Sequence, residues 1–108
     1  GQGEELAESL RSLLFAFDLE QEAVIHRLDL SHLGTIVRDG LLLTEEGEII
    51  GALSGAIFKL DPRSFTLTGV WRAPHPITAG LAYRDGHVYY GTGSELCSIH
   101  VRYFSSTT

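Results

Sequence analysis

The sequence predicts an all-β chain of antiparallel strands, arranged as two four-stranded repeat units behind a short N-terminal helix. Three observations carry this. Gly55 to Ser94 holds four short apolar runs separated by Gly, Pro and Asp turn signals. Those runs alternate with period two, as strands do when successive side chains point to opposite faces. The order of strand and turn also recurs: Leu14 to Asp18 matches Ile57 to Asp61 at an offset of 43, and Leu96 to His100 matches again 39 residues further on. Length differences fall at turns, where they cost little. The units so defined are a tail and helix at 1–11, a first repeat at 12–55, a second at 56–94, a strand of a further unit at 95–103 and a polar tail at 104–108.

Each element has its own signal. Leu6, Leu10, Leu13 and Leu14 fall at helical spacing, with Glu4, Glu5 and Glu8 at the positive end of the dipole. The match of Leu13–Phe17 to the repeat strands ends that helix near Arg11. Ala23 to Leu28 forms the second strand, on which His26 and Arg27 read as solvated. Asp29 to Gly34 links to a strand at Thr35–Val37, and either Asp39-Gly40 or Glu46-Gly47 makes the next hairpin turn. The consecutive Leu41-Leu42-Leu43 suits a strand buried on both faces. In the second unit, Phe65 to Gly69 is a strand, Ala73-Pro74-His75-Pro76 is a link, and Ile77–Tyr83 and Val88–Gly91 are strands around Arg84-Asp85-Gly86-His87. Asp18, Asp61, Pro62, Asp85 and Gly86 are turn residues: aspartate accepts backbone hydrogen bonds, proline fixes φ and glycine tolerates positive φ.

Composition bounds the function. The 108 residues carry 14 acidic and 8 basic side chains, a formal charge of -6, and no cluster of Lys or Arg. That field disfavours a nucleic-acid partner. No apolar run approaches the roughly 20 residues of a membrane helix, so no membrane partner is expected. Gly1 reads as a residue left by processing. Cys97 is alone, so an internal disulfide is excluded; its match to Phe15 and Phe58 predicts a buried apolar position.

A period near forty with four strands per unit is a blade signature. The pattern over roughly residues 12 to 103 resembles β-propeller blades, most specifically in Gly80-Leu81-Ala82-Tyr83 and in Asp85 to Thr92. It is similar to blades of NHL-type and quinone-cofactor propellers and of extracellular sugar-acting proteins and lyases. The Trp-Asp dipeptides and the double glycines of two other repeat families are missing. Propellers close with four to eight blades, whereas about two are present here. The resemblance therefore implies an incomplete propeller, either part of a larger parent chain or one protomer of a homo-oligomeric ring. A compact two-sheet domain is the third arrangement.

The candidate ligand-binding residues are Trp71, Arg72, His75 and His32. An indole beside a guanidinium offers a stacking platform and a carboxylate donor. His75 lies between two prolines in a link that, by the resemblance, reaches toward the top face or central channel; an imidazole held there suits proton transfer. His32 occupies the equivalent link of the first unit. The five histidines, at 26, 32, 75, 87 and 100, show no metal-ligand spacing, so no metal is expected, and no cofactor either. No hydrolase elbow or phosphate loop is present. Two functions remain: a non-catalytic binding or scaffold module with a carbohydrate or protein ligand, or part of an extracellular carbohydrate-acting enzyme such as a polysaccharide lyase. An extracellular or periplasmic location attaches to the second alone.

Overall fold

The structure, a computed structural model, describes residues 13–106, apart from the side chains of Phe15 and Phe17. The helix expected within residues 1–11 lies outside the described residues. The described residues form nine strands: β1 (Leu13–Asp18), β2 (Ala23–Asp29), β3 (Ile36–Leu43), β4 (Ile49–Leu53), β5 (Ala56–Asp61), β6 (Thr66–Arg72), β7 (Ala79–Arg84), β8 (His87–Thr92) and β9 (Glu95–His100). Among the described residues the only helical pieces are 3-10 turns at Ser31–Leu33 and Val101–Tyr103. The chain is all-β, and every strand pair is antiparallel.

Hydrogen bonding divides the strands into three sheets, ordered β1-β2, β3-β4-β5-β6 and β7-β8-β9. This corrects the count of about two four-stranded units: one sheet has four strands, one three and one two. It also shifts their phase. The expected cuts at 12–55 and 56–94 would join β1 to β4 and β5 to β8, but the chain changes sheet at the links after β2 and β6. Proline explains the second break. Pro74 and Pro76 have no backbone N–H to donate, and a link from Ala73 to Thr78 is too long for a tight hairpin.

The four-stranded sheet is covered on both faces. Ile57 and Phe58 are adjacent in β5 and point to opposite sides, yet are 0% and 2% exposed. Phe58 joins Leu30, Leu33, Leu53, Ala56, Leu60, Phe65 and Val70 in a core completed by Leu14, Ala16 and Leu28 of the two-stranded sheet. Ile57 joins Val37, Ile50, Ala52, Ile77, Val88 and Tyr90 in a second core, flanked by Trp71, Leu81, Tyr83, Cys97 and Ile99. Fully burying a side chain of that size contributes about 1.5–3 kcal/mol. The near-continuous apolar runs of β4 and β5 reflect this two-sided burial.

Several local expectations change. Of the two hairpin turns the sequence offers, Glu46-Gly47 is the one used: the chain turns at Thr44–Glu48, while β3 runs through Asp39-Gly40 with a register shift between Ile36 and Leu41. Asp39 takes up the irregularity with φ of 55°. Leu41 and Leu43 are not buried on both faces; they are 53% and 69% exposed, because their row points away from the three-stranded sheet. His26 is not solvated. Its ring stacks on Phe65 at 5.1 Å and 9°, joining the two-stranded sheet to the central one. Cys97 is half-buried rather than buried. Finally, the segment after Tyr103 is not a loose tail through Ser106: Ser105 exchanges backbone hydrogen bonds of 2.8 and 2.9 Å with Val70. The Val101–Tyr103 turn sends the chain back there, and Phe104 packs over Gly69.

Candidate binding surface

One end of the molecule is organised by the Ser54-Gly55 turn between β4 and β5. Ser54 N–H donates to the Thr35 carbonyl, and Ser54 Oγ accepts from Thr35 N–H, both at 2.9 Å. Gly55 N–H donates to the Leu33 carbonyl at 3.0 Å. From the other side, Ala73 N–H donates to the Gly55 carbonyl at 3.0 Å and Ile77 N–H to the Ser54 carbonyl at 2.9 Å. Two links distant in sequence are thereby fixed to one turn.

This places the four ligand candidates. Arg72 and His32 are brought together: Arg72 Nη1 donates to the His32 backbone carbonyl at 3.4 Å, leaving the imidazole exposed. His75 is exposed between two exposed prolines. Trp71 points to the opposite face from Arg72, as neighbours in a strand must. Its ring meets Tyr90 at 5.7 Å and 55°, within the second core. The indole and the guanidinium therefore share no face on which one sugar ring could rest.

The turn residues occupy the opposite end. Asp18 Oδ1 accepts from Glu20 and Gln21 N–H at 2.9 and 3.2 Å, and Asp61 Oδ1 accepts from Arg63 N–H at 2.9 Å across Pro62. Asp85 and Gly86 have φ of 51° and 82°, the positive pair of a type I′ hairpin. A Cβ at Gly86 would also strike the His100 ring, 2.7 Å away. His87 and His100 face each other across the strands with centroids 4.8 Å apart, edge to face. His100 Nδ1 accepts from Arg102 N–H at 3.0 Å, which requires an unprotonated nitrogen. Partial desolvation, then the charges of Arg102 and His87, lower the His100 pKa from its ordinary value. Nearby, desolvation and then Glu46 and Glu48 raise that of the Tyr83 phenol. Among the described residues no three His, Cys, Asp or Glu side chains are placed to share a metal ion.

A mainly apolar groove was not singled out by sequence. A groove of about 350 Å3 runs between the start of β1 and one face of β3, lined by Leu13, Leu14, Ile36, Leu41, Leu53 and Phe58 among others. It exists because the two-stranded sheet covers only half of the central sheet. Leu14 and Leu28 pack on the first core, Leu14 also bordering the groove, and no described strand continues that sheet beyond β1 over β3. Ile36, Leu41 and Leu43 remain 65%, 53% and 69% exposed along the uncovered half. The Leu41-Leu42-Leu43 run was the available signal, since such a run wants cover on both faces. No protein-family model, curated protein or solved structure matches the chain.

Proposed function

We propose that the chain is a non-catalytic binding or scaffold module, built as part of a propeller-like array of sheets and acting by accepting further β-structure. The observation that carries this reading is the apolar groove beside β1. There, a strand edge that pairs with nothing among the described residues borders the exposed Ile36, Leu41 and Leu43. A strand added at that edge gains main-chain hydrogen bonds and lays alternate side chains onto the apolar row. The repeat supports it. β1, β5 and β9 are equivalent third strands and β2 and β6 equivalent fourth strands, so the two-stranded sheet has the outer half of a repeat unit. The strand type that would complete it is that of β3-β4 or β7-β8.

The test uses a fluorescently labelled peptide of residues 36–53, the β3-β4 pair. Saturable binding to the full chain is expected, and it should be lost in Leu41→Glu with the circular dichroism spectrum unchanged. Absence of saturable binding to the folded wild-type chain overturns the reading.

A further inference from the structure

We infer that the groove is filled by the three-stranded sheet of a second copy of this chain, in a head-to-tail contact; this rests on the binding-module reading above. The two ends of the array are complementary. The N-terminal sheet is β1-β2, and among the described residues nothing pairs with the β1 edge toward the inner half of the unit. The C-terminal sheet is β7-β8-β9, with the β9 edge open on the outer side. Placing β9 of one copy beside β1 of the next joins these edges into one five-stranded sheet, one strand more than the repeat unit, with β8 and β7, the strand types the two-stranded sheet lacks, beyond β9. Because β1 and β9 are equivalent in the repeat, they then run in the same direction.

The side chains agree. Leu14, Ile57 and Leu96 hold equivalent positions, each on the face toward the following sheet. Leu14 packs on the first core, Ile57 is 0% exposed in the second, and Leu96 is 78% exposed. Tyr89, beside it on the same face, is 37% exposed. The joined sheet brings Leu96 and Tyr89 onto the uncovered Ile36, Leu41 and Leu43. A contact of this type already exists within one copy, where β7 packs on the other face of β3 and brings Gly80 against Gly40.

Charge supports the same direction. The turn end of β1-β2 carries the exposed Glu20 and Glu22 beside Asp18. The turn end of the three-stranded sheet carries exposed Arg84 and Arg102; Arg84 pairs with Asp85 at 3.7 Å and has Glu45 and Glu46 alongside, which leaves Arg102 as the cation facing outward from β9. Running β9 alongside β1 sets Arg102 next to the acidic β1-β2 turn. Such a contact is heterologous, using different patches on the two partners, and it closes into a ring or extends according to its rotation.

That asymmetry gives the experiment. Sedimentation equilibrium of the wild-type chain should show reversible mass above the monomer. Leu41→Glu disables the groove and Leu96→Glu the opposing sheet, so each alone should be monomeric. An equimolar mixture of the two should recover a dimer and stop there, since one intact groove and one intact opposing face remain. Both positions are exposed, and circular dichroism verifies that each variant is folded. A mixture that stays monomeric, or dimers of either variant alone, overturns the head-to-tail contact. A wild-type chain monomeric at every concentration also overturns it; if that monomer still binds the 36–53 peptide, the groove reading stands and only the second copy is excluded as its occupant.

Discussion

Gly80 in β7 stands over Gly40 in β3 so closely that a Cβ on Gly80 would lie 3.2 Å from the Gly40 Cα and 3.3 Å from the Asp39 carbonyl oxygen. Both obstacles are backbone, so neither can swing aside as a side-chain tip would. This approach holds the three-stranded sheet against the inner edge of the central one and closes the second core. Gly80→Val should therefore lower the urea midpoint by an amount equivalent to roughly 1–3 kcal/mol, the usual cost of overpacking. An unchanged midpoint at unchanged slope would show that the sheets do not meet there.

Trp71 and His75 separate a packing role from an exposed loop. Trp71 contacts Tyr90 and borders the second core, whereas His75 is exposed. Trp71→Ala should cost about 3 kcal/mol, near the lower end for aromatic truncation because the ring is only half-buried. His75→Ala should stay within about 0.5 kcal/mol. Chemical denaturation of the two variants compares them directly, and equal midpoints would contradict the placement of the indole.

Much of this was legible in the sequence, and the misses have physical causes. Strand positions and the Asp18, Asp61 and Asp85-Gly86 turns follow from period-two alternation and from local backbone chemistry, both of which act within a few residues. Where one sheet ends and the next begins is not local. Ala73 to Thr78 is a link between sheets because Ser54-Gly55 ties it to the earlier link, a relationship between segments twenty or more residues apart. Exposure misled for the same reason: Leu41 reads as buried because its sequence suits a covered strand, yet among the described residues nothing covers its row. His26 looked solvated because its partner, Phe65, comes from another sheet. Among the candidate ligand residues, the sequence put Trp71 beside Arg72, but alternation along β6 sends them to opposite faces.

His100 gives the chain a pH dependence of definite sign. Its folded-state pKa lies below the ordinary 6.5, first through desolvation and then through the charges of Arg102 and His87. As pH falls below that ordinary value, the unfolded chain takes up the proton more readily than the folded one. The stability contributed is thus present above about pH 6.5 and is lost progressively as pH falls through the folded-state value. His100→Asn keeps a side-chain acceptor for Arg102 N–H and does not titrate. Its thermal midpoint should fall less between pH 7 and pH 5 than that of the wild type. An equal or steeper fall would remove His100 from the account.

Ile57 and Leu96 match at an offset of 39 in the sequence, and the structure gives Ile57 a following sheet but, among the described residues, gives Leu96 none. Ile57 is 0% exposed beneath the three-stranded sheet, while Leu96 is 78% exposed. Ile57→Ala should cost about 2–5 kcal/mol at any protein concentration, since its cover belongs to the same chain. Leu96→Ala should be nearly neutral in dilute solution, within about 0.5 kcal/mol. At concentrations where copies associate, it should become destabilising, because its cover then comes from a neighbour and contributes by mass action. Thermal unfolding of wild type and Leu96→Ala across a wide concentration range separates the two regimes. Melting curves that coincide at low concentration and diverge as it rises would place Leu96 in the contact between copies. Curves that coincide throughout would leave it a solvent-exposed leucine and remove the forward face of β9 from that contact.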